Sequence, residues 1–278
     1  MRIRFTWKSI AVAAAIVIVA SFCFLNGGRI KNMFSAVTEK GFKYDYGVFI
    51  GLTDEDEYSF DDYKTVVIDA QYFTAEEIAK IKEEGHIVYS YFNIGSLEDF
   101  RDYYDEYSGA CLDEYEGWEG EYWVDITNTG WQFFLTDKLA IELKNKGIDG
   151  YFVDNTDVYY FYKYEAVYNA LVDIMEKLNA QSSVIINGGD VFVREYLDRG
   201  NDISGIADGI NQECVFTTMD KEENSEDDRS YYTQYLEELS CDVYLLEYTA
   251  DDELGSEIIS YCKSKGFYYY ITDDLELR

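Results

Sequence analysis

The sequence predicts an α/β fold: a single (β/α)8 barrel of the TIM type, preceded by an N-terminal signal peptide or membrane anchor. Eight short apolar runs without strict polar alternation indicate strands that are covered on both faces, as in a parallel sheet. Amphipathic helical patterns lie between these runs, and eight such units in about 230 residues match the size of this barrel. A doubly wound open sheet is the alternative, but it normally uses fewer strands, and no glycine-rich phosphate loop follows any of the runs.

The predicted strands begin at residue 46 and continue to the end of the chain. They cover residues 46–51, 65–69, 87–93, 150–154, 184–187, 209–213, 243–248 and 267–272. Between them, Thr74 and Glu77 form a capping box at the start of one helix. Apolar residues at helical spacing predict two more helices, over 135–143 and 167–178, and Gly147 is placed to end the first of these.

The N-terminal segment has a different character from the rest of the chain. Three basic residues precede an uncharged run over residues 9–25, which is the layout of a secretory signal or of an uncleaved signal anchor. We therefore expect residues 1–30 to be a signal peptide or anchor, 31–43 a short linker and 44–278 the catalytic domain. The expected location is extracellular, or anchored to the outer face of the cell membrane.

Composition excludes several functions. The 278 residues include 55 acidic and 23 basic side chains, a net charge of −32, which argues against a nucleic-acid partner because phosphates are held by clustered Lys and Arg. The 47% hydrophobic content argues against disorder.

His86 is the only histidine, so a site with several histidine ligands cannot exist, and we expect His86 to be structural. Four cysteines of the exported part are expected to be buried or free thiols: Cys111, Cys214, Cys241 and Cys262.

Candidate site residues lie where the predicted strands end, because the chemistry of this barrel sits at the C-terminal ends of its strands. These ends carry carboxylates, amides and a phenol, a set that suits glycoside hydrolysis by two acids. Asp154 and Glu213 stand out, since they end strands four and six and can face each other across a sugar. Any one of these residues could instead serve a turn or a helix cap. The residues at the strand ends are Asp69, Asn93, Asp154, Asn155, Asn187, Glu213, Glu247 and Tyr248.

Four segments resemble those of glycoside hydrolase family 114, the endo-α-1,4-polygalactosaminidases. The resemblance spans residues 44–272, and its most specific piece is Gly-Ile-Asp-Gly-Tyr-Phe-Val-Asp-Asn at 147–155. It implies a secreted barrel that cuts α-1,4-linked galactosamine polymers internally, with Asp154 and Glu213 as the acids. The sequence departs from the family at Ser96, where an acid usually follows the glycine, and in the first strand, which lacks the family's Trp and Gln. The other segments are Val67-Ile68-Asp69, Tyr91 to Gly95 with Glu98 and Arg101, and Gly209 to Glu213.

By analogy with the retaining α-galactosidases, which place their acids on the same two strands, Asp154 is assigned as nucleophile and Glu213 as acid/base, with Glu247 as fallback for the second acid. Neither a metal nor an organic cofactor is expected. Glu98 and Arg101 could also be a plain i, i+3 surface pair, and Asp157 a helix cap. The residues expected to bind substrate are Asp69, Asn93, Glu98, Arg101, Asn155, Asp157, Asn187, Glu247 and Tyr248.

Three further features bear on the cleft. The insertion over 94–133, with three tryptophans, is expected to wall one side of it, and residues 158–162 could either offer aromatic faces to sugars or pack under the barrel rim. Acidic runs at 54–57 and 221–228 could gather a polycationic aminosugar chain, although such runs are usually plain solvated loops.

We expect a monomer with a polysaccharide partner. The alternatives are a non-catalytic carbohydrate-binding barrel at the cell surface and, third, a divalent-cation site in the acidic ring.

Overall fold

The computed structural model describes residues 41–278, and its main sheet is a nearly closed barrel of eight parallel strands. In chain order the strands are β1 (Tyr44–Phe49), β2 (Tyr63–Ile68), β3 (Ile87–Asn93), β4 (Ser96–Glu98), β5 (Cys111–Glu114), β6 (Glu121–Val124), β7 (Gly150–Asp154), β8 (Ser183–Asn187), β9 (Gly209–Glu213), β10 (Asp242–Tyr248) and β11 (Tyr268–Thr272). The barrel order is β1-β2-β3-β7-β8-β9-β10-β11. The ring of Phe49 on β1 lies 5.4 Å from that of Tyr270 on β11, so the first and last strands are neighbours. The predicted (β/α)8 barrel is therefore confirmed.

Helices alternate with the barrel strands. They are α1 (Ala75–Glu83), α2 (Tyr104–Tyr107), α3 (Thr129–Phe133), α4 (Ala140–Lys146), α5 (Val158–Phe161), α6 (Glu165–Asn179), α7 (Asp190–Asp198), α8 (Glu226–Glu238) and α9 (Asp252–Lys265), with a π-helical turn at Phe134–Leu139 that joins α3 to α4. The predicted capping box of Thr74 and Glu77 opens α1. Gly147 ends α4 with a φ of 104°, a left-handed conformation that favours glycine.

Aromatic rings fill the N-terminal end of the barrel. A Cβ on Gly150, the first residue of β7, would lie 2.3 Å from the ring of Tyr89, and one on Gly209, which opens β9, would lie 2.7 Å from the ring of Tyr244. Both positions therefore require glycine, since any side chain would displace a ring that packs inside the barrel. This end is closed, and the open end is the one where the strands finish.

The insertion after β3 forms a separate three-stranded antiparallel sheet in the order β4-β6-β5. Its three predicted wall tryptophans have different positions. Trp131 is buried and donates from Nε1 to the carbonyl oxygen of Ile94 at 2.9 Å, and Trp123 is also buried. Trp118 is half exposed and faces the open end of the barrel, so it alone of the three contributes to the wall of the cleft.

His86 has a structural environment, as predicted. It precedes β3 at the closed end, its Nδ1 lies 2.7 Å from the carbonyl oxygen of Tyr63, and its ring packs against Phe42 and Phe60. The cysteines at 111, 214, 241 and 262 are all free thiols. Within residues 41–278, no helix is long and apolar enough to cross a membrane. The predicted N-terminal signal or anchor lies outside the described residues.

Candidate active site

A cleft of about 500 Å³ opens at the C-terminal end of the barrel, with Asp154 and Glu213 among its lining residues. Asp154 ends β7 and Glu213 ends β9, so the sheet holds both carboxylates on rigid backbone. In the described part of the chain, this lining contains six carboxylates and no Lys, Arg or His. The six are Glu121, Asp154, Asp157, Asp190, Glu213 and Glu276.

The side-chain amide of Asn187 joins the two acids. Its Nδ2 donates to Asp154 Oδ1 at 3.0 Å and to Glu213 Oε1 at 2.7 Å. An amide nitrogen directs its two hydrogens about 120° apart, so these two carboxylate oxygens lie about 5 Å from each other. Asn187, on the strand between them, therefore sets the separation of the acids.

Each acid has a further partner of its own. Asp154 Oδ1 accepts the backbone N–H of Asn155 at 2.9 Å, and Asn155 has a φ of 63°, which lets the chain turn sharply after β7. Tyr248, at the end of β10, donates its hydroxyl to Glu213 Oε2 at 2.7 Å. The two carboxyl groups are thus oriented by donors from two strands, β8 and β10, and from the turn after β7.

The environment favours a protonated form of the pair. Burial and, next, the negative charge of Glu213 raise the pKa of Asp154 to about 8, against the lowering effect of the hydrogen bonds from Asn187 and Asn155. Near neutral pH this raised pKa keeps a proton at the pair, and two carboxyl groups this close share it. One acid and one carboxylate are what a two-acid glycosidase requires.

A buried chain of side chains orients Asn187. Asn211 on β9 donates from Nδ2 to Asn187 Oδ1 at 2.6 Å, and Tyr46 on β1 donates its hydroxyl to Asn211 Oδ1 at 3.1 Å. Because the carbonyl of Asn187 is held by Asn211, its NH2 group must face the acids. The sequence analysis missed Asn211 and Tyr46. The signal was available for Asn211: it lies two residues before Glu213, and residues two apart on a strand share a face.

Glu121 is a second functional residue that the sequence analysis missed. It opens β6 in the insertion, lines the cleft, and accepts at Oε1 from Nδ2 of Asn155 at 3.0 Å, Nδ2 of Asn93 at 3.2 Å and the hydroxyl of Ser96. Burial raises its pKa. Ser96 stands where the family usually has an acid, and its hydroxyl group donates to the carboxylate of Glu121. No motif or spacing in the insertion distinguished Glu121 from its acidic neighbours.

Asp157 lines the cleft and, although it is the residue before α5, its side chain does not cap that helix. Its carboxylate makes no capping hydrogen bond to α5 and instead accepts the backbone N–H of Gly189, in the loop after β8, at 3.2 Å. Burial first, and the charge of Asp190 second, raise the pKa of Asp157 to about 6. The helix-cap alternative is corrected because the carboxylate is turned toward the neighbouring loop.

Asp69, Glu98 and Arg101 form a buried ion-pair network beside the cleft. Arg101 Nη1 lies 2.6 Å from Asp69 Oδ2, while its Nη2 and Nε lie 2.9 and 3.2 Å from the two oxygens of Glu98. The three side chains are at most 8% exposed, so the surface-pair alternative is excluded. They do not line the cleft, and Tyr91, which does, donates its hydroxyl to Glu98 at 3.5 Å. Asp69, Glu98 and Arg101 therefore lie behind Tyr91 and do not contact the space where the substrate would bind.

Glu247 takes a structural position rather than the catalytic one considered for it. It is fully buried and its two oxygens accept the backbone N–H groups of Val215, Phe216 and Thr217, and the Thr217 hydroxyl. Burial, opposed by these hydrogen bonds, raises its pKa to about 7. Successive strand residues point to opposite faces, so Tyr248 faces the cleft and Glu247 does not. Glu247 instead holds the loop that follows Glu213.

The remaining predicted features lie outside the lining of the cleft. In the aromatic run, Val158 and Tyr159 are buried while Tyr160 and Phe161 are exposed, and none of them lines the cleft. The acidic runs at 54–57 and 221–228 follow β1 and β9, on the open face of the barrel as predicted, and the second continues into the first turn of α8. Within residues 41–278, no three His, Cys, Asp or Glu side chains are grouped to hold a metal ion.

A parallel eight-stranded barrel with paired carboxylates at the ends of its fourth and sixth strands defines a glycosidase-type TIM barrel. The particular family follows from the sequence profile of glycoside-hydrolase family GH114, which matches residues 31–277. The chain belongs to this family, and the resemblance found in the sequence is confirmed.

Solved structures share the fold at low sequence identity. The glycoside hydrolase domain of PelA from Pseudomonas aeruginosa matches with a TM-score of 0.68 and 17% identity, over 85% of this chain and 96% of that one. Aspergillus fumigatus Ega3, solved in complex with galactosamine, matches with a TM-score of 0.65 and 16% identity, over 87% and 96%. The α-galactosidase TtGalA of Thermus thermophilus matches at 0.54 and 13%, over 84% and 58%. No curated protein sequence gives a significant match.

Proposed function

We propose that this glycoside hydrolase cuts α-1,4-linked galactosamine-type polysaccharide internally, by a retaining mechanism that uses two carboxylates and no cofactor. The observation that carries the proposal is the pair Asp154 and Glu213, bridged by Asn187 at the floor of an open cleft. The separation of about 5 Å between their bridged oxygens fits the ~5–5.5 Å of retaining enzymes and is shorter than the ~6.5–9.5 Å that inverting enzymes need for a water molecule.

Asp154 is the nucleophile in this proposal. In the reacting form the proton that the pair shares is on Glu213, and Asp154 is the carboxylate. Asp154 attacks the anomeric carbon, Glu213 gives its proton to the leaving glycosidic oxygen, and a covalent glycosyl ester forms on Asp154. Glu213 then removes a proton from water, whose oxygen attacks the same carbon, breaks the ester bond and frees Asp154 as a carboxylate. The partners support these roles. Asp154 Oδ1 accepts from two N–H donors, which stabilise a carboxylate, whereas the phenol of Tyr248 can accept as well as donate and so tolerates a protonated Glu213.

The charge of the cleft supports an aminosugar polymer as the substrate. Six carboxylates without a lining cation attract ammonium groups, and the acidic runs at 54–57 and 221–228 extend this potential over the open face. The likeness to Ega3, solved with galactosamine, supports the same sugar. Residues 1–30 have the layout of a signal or anchor, so we also propose that the protein is exported, free or anchored by this segment, and acts as a monomer.

The test uses the full-length protein with deacetylated and N-acetylated α-1,4-galactosamine polymers. Wild type should release reducing ends with a rapid fall in polymer length, and the first product should keep the anomeric configuration of the substrate by NMR. Asp154→Asn and Glu213→Gln should each lower the rate by at least about 1,000-fold, since each removes one of the two acids that the mechanism requires. Release that survives both changes would refute the site. Binding without release would favour the non-catalytic carbohydrate-binding alternative.

Electrostatic gathering of the polymer gives a separate expectation. Raising ionic strength from about 0.05 to 0.5 M should increase KM for the deacetylated polymer several-fold, because exposed charges are screened over a shorter distance. The N-acetylated polymer, which lacks the ammonium groups, is the matched control and should change little. Equal salt dependence for the two polymers would contradict the role of charge.

A further inference from the structure

We propose that a second sugar-binding surface lies outside the cleft and holds a distal stretch of the same polymer; this proposal rests on the proposed function. We call it the outer aromatic surface and define it by Tyr160, Phe161 and Tyr164, together with the cavity next to Tyr164. None of these residues lines the catalytic cleft.

Three large rings are exposed within five residues. The exposed fractions of Tyr160, Phe161 and Tyr164 are 62, 56 and 68%. Single exposed apolar residues are common, but three exposed rings in one short segment, of which Tyr164 lines a cavity, indicate a surface that binds something. Aromatic faces suit the apolar face of a sugar ring, with which they stack while its hydroxyl groups stay hydrated.

The adjoining cavity has the polarity that a sugar requires. Its volume is about 530 Å³, and it lies between the insertion and the start of α6, with an apolar floor that includes Val158 and Val167. Asp113 and Asp125 contribute carboxylates and Thr127 a hydroxyl group to the same cavity. In the described residues that line it, no Lys, Arg or His is present, so the charged groups that a cationic aminosugar meets there are all carboxylates.

A line of aromatic contacts joins this surface to the cleft. Tyr115 and Trp118 line the cleft, and the ring of Tyr115 stacks on Trp123 at 4.2 Å. Trp123 in turn lies 4.8 Å from Phe161. The two sites also adjoin along the chain, since Asp157 lines the cleft and the next residue lines the second cavity.

Polymer length makes this surface useful. A cleft of about 500 Å³ is in the size range for a small ligand, so a chain cut in its interior must continue beyond the cleft on both sides. A second contact on the same chain makes its binding intramolecular and strengthens attachment of long chains without changing the chemical step. The outer aromatic surface should therefore affect KM for long polymer only.

The test compares Tyr164→Ala and Phe161→Ala in the full-length protein with Phe133→Ala. Phe133 is the matched control because its side chain is 54% exposed on α3 and lines neither the cleft nor the second cavity. We expect KM for long deacetylated polymer to rise about 5- to 10-fold in the two test variants, with kcat unchanged. Oligosaccharides short enough to occupy the cleft alone should show no change, and Phe133→Ala should match wild type on both substrates.

Polymer binding is measured separately by affinity electrophoresis, with each ring variant combined with Asp154→Asn so that no chain is cut. Weaker retention of the ring variants than of Asp154→Asn alone supports the surface. Unchanged retention, or an equal rise in KM for short and long substrates, overturns it. Wild-type release of reducing ends tests the proposed function, so failure of the reaction and failure of this surface give different results.

Discussion

Replacing Asn211 with leucine should reduce turnover about 10- to 100-fold in a protein that still folds. Asn211 is fully buried, donates to Asn187 Oδ1 at 2.6 Å and accepts from Tyr46 at 3.1 Å. Leucine has a similar size and no polar atom. In Asn211→Leu the amide of Asn187 is no longer held, so its NH2 group need not face Asp154 and Glu213.

The magnitude follows from the hydrogen bonds that Asn187 makes to the acids. A hydrogen bond to a charged group contributes about 1.5–3 kcal/mol, which corresponds to roughly 10- to 150-fold in rate at 1.36 kcal/mol for each factor of ten. Asn211→Leu also leaves the hydroxyl of Tyr46 and the carbonyl of Asn187 without partners. Each unpaired buried group costs about 1–3 kcal/mol of stability.

The double variant Tyr46→Phe/Asn211→Leu separates positioning from folding. It removes the stranded hydroxyl, so we expect it to recover part of the melting temperature but none of the turnover. Tyr46→Phe alone should stay within a few-fold of wild type, because Asn211 still donates to Asn187. The assays are reducing-end release, thermal unfolding and the pH profile of kcat. The Asn187 hydrogen bond lowers the pKa of Asp154, so the limb controlled by that group should move to higher pH in Asn211→Leu.

Two results would refute the reasoning. One is Asn211→Leu turning over within about twofold of wild type with an unshifted pH profile. The other is recovery of turnover when Tyr46→Phe is added, since that would show the loss to be a consequence of the unpaired hydroxyl group and not of Asn187 orientation.

Two stability predictions concern the charges in and beside the cleft. The pKa of Asp154 is raised from 3.8 to about 8 by burial, so between these pH values the unfolded chain has lost a proton that the folded protein keeps, and stability falls as pH rises. Asp154→Asn lacks this penalty, and its advantage in melting temperature over wild type should grow from pH 5 to pH 8; a constant difference in thermal unfolding would contradict the raised pKa. Arg101→Met leaves Asp69 and Glu98 buried without their cation and should lower the free energy of unfolding by about 3–5 kcal/mol in a denaturant titration. The free energy of unfolding of Arg101→Lys should lie between those of wild type and Arg101→Met, because an ammonium group cannot make the two-pronged contact to Glu98. An unchanged denaturation midpoint in Arg101→Met would show that the network adds no stability.

Local patterns in the sequence predicted the barrel well. Buried parallel strands are continuous apolar runs, and the predicted run at 150–154 coincides with β7, while that at 46–51 is shifted by two residues from β1. Asp154 and Glu213 could be predicted because the C-terminal residue of every barrel strand lies on the same open face of the barrel.

Side-chain direction accounts for one failure of the sequence analysis. Glu247 and Tyr248 are adjacent in β10, and both were expected in the site, yet neighbours on a strand face opposite ways. Strand alternation allows only one of the two to face the cleft, and the contacts of Glu247 with the loop at 215–217 show which one is excluded.

The sequence by itself determined the fold, the family and the strand ends that hold the two acids, because these depend on short-range periodicity and on residues close together in the chain. Only the tertiary structure decided how the acids are joined, which carboxylates share the cleft and which are held elsewhere. Asn187 lies 33 residues from Asp154, 26 from Glu213 and 24 from Asn211, and Glu121 reaches its partners from an insertion. Such contacts depend on barrel closure and on the path of a loop, and neither leaves a pattern in the sequence.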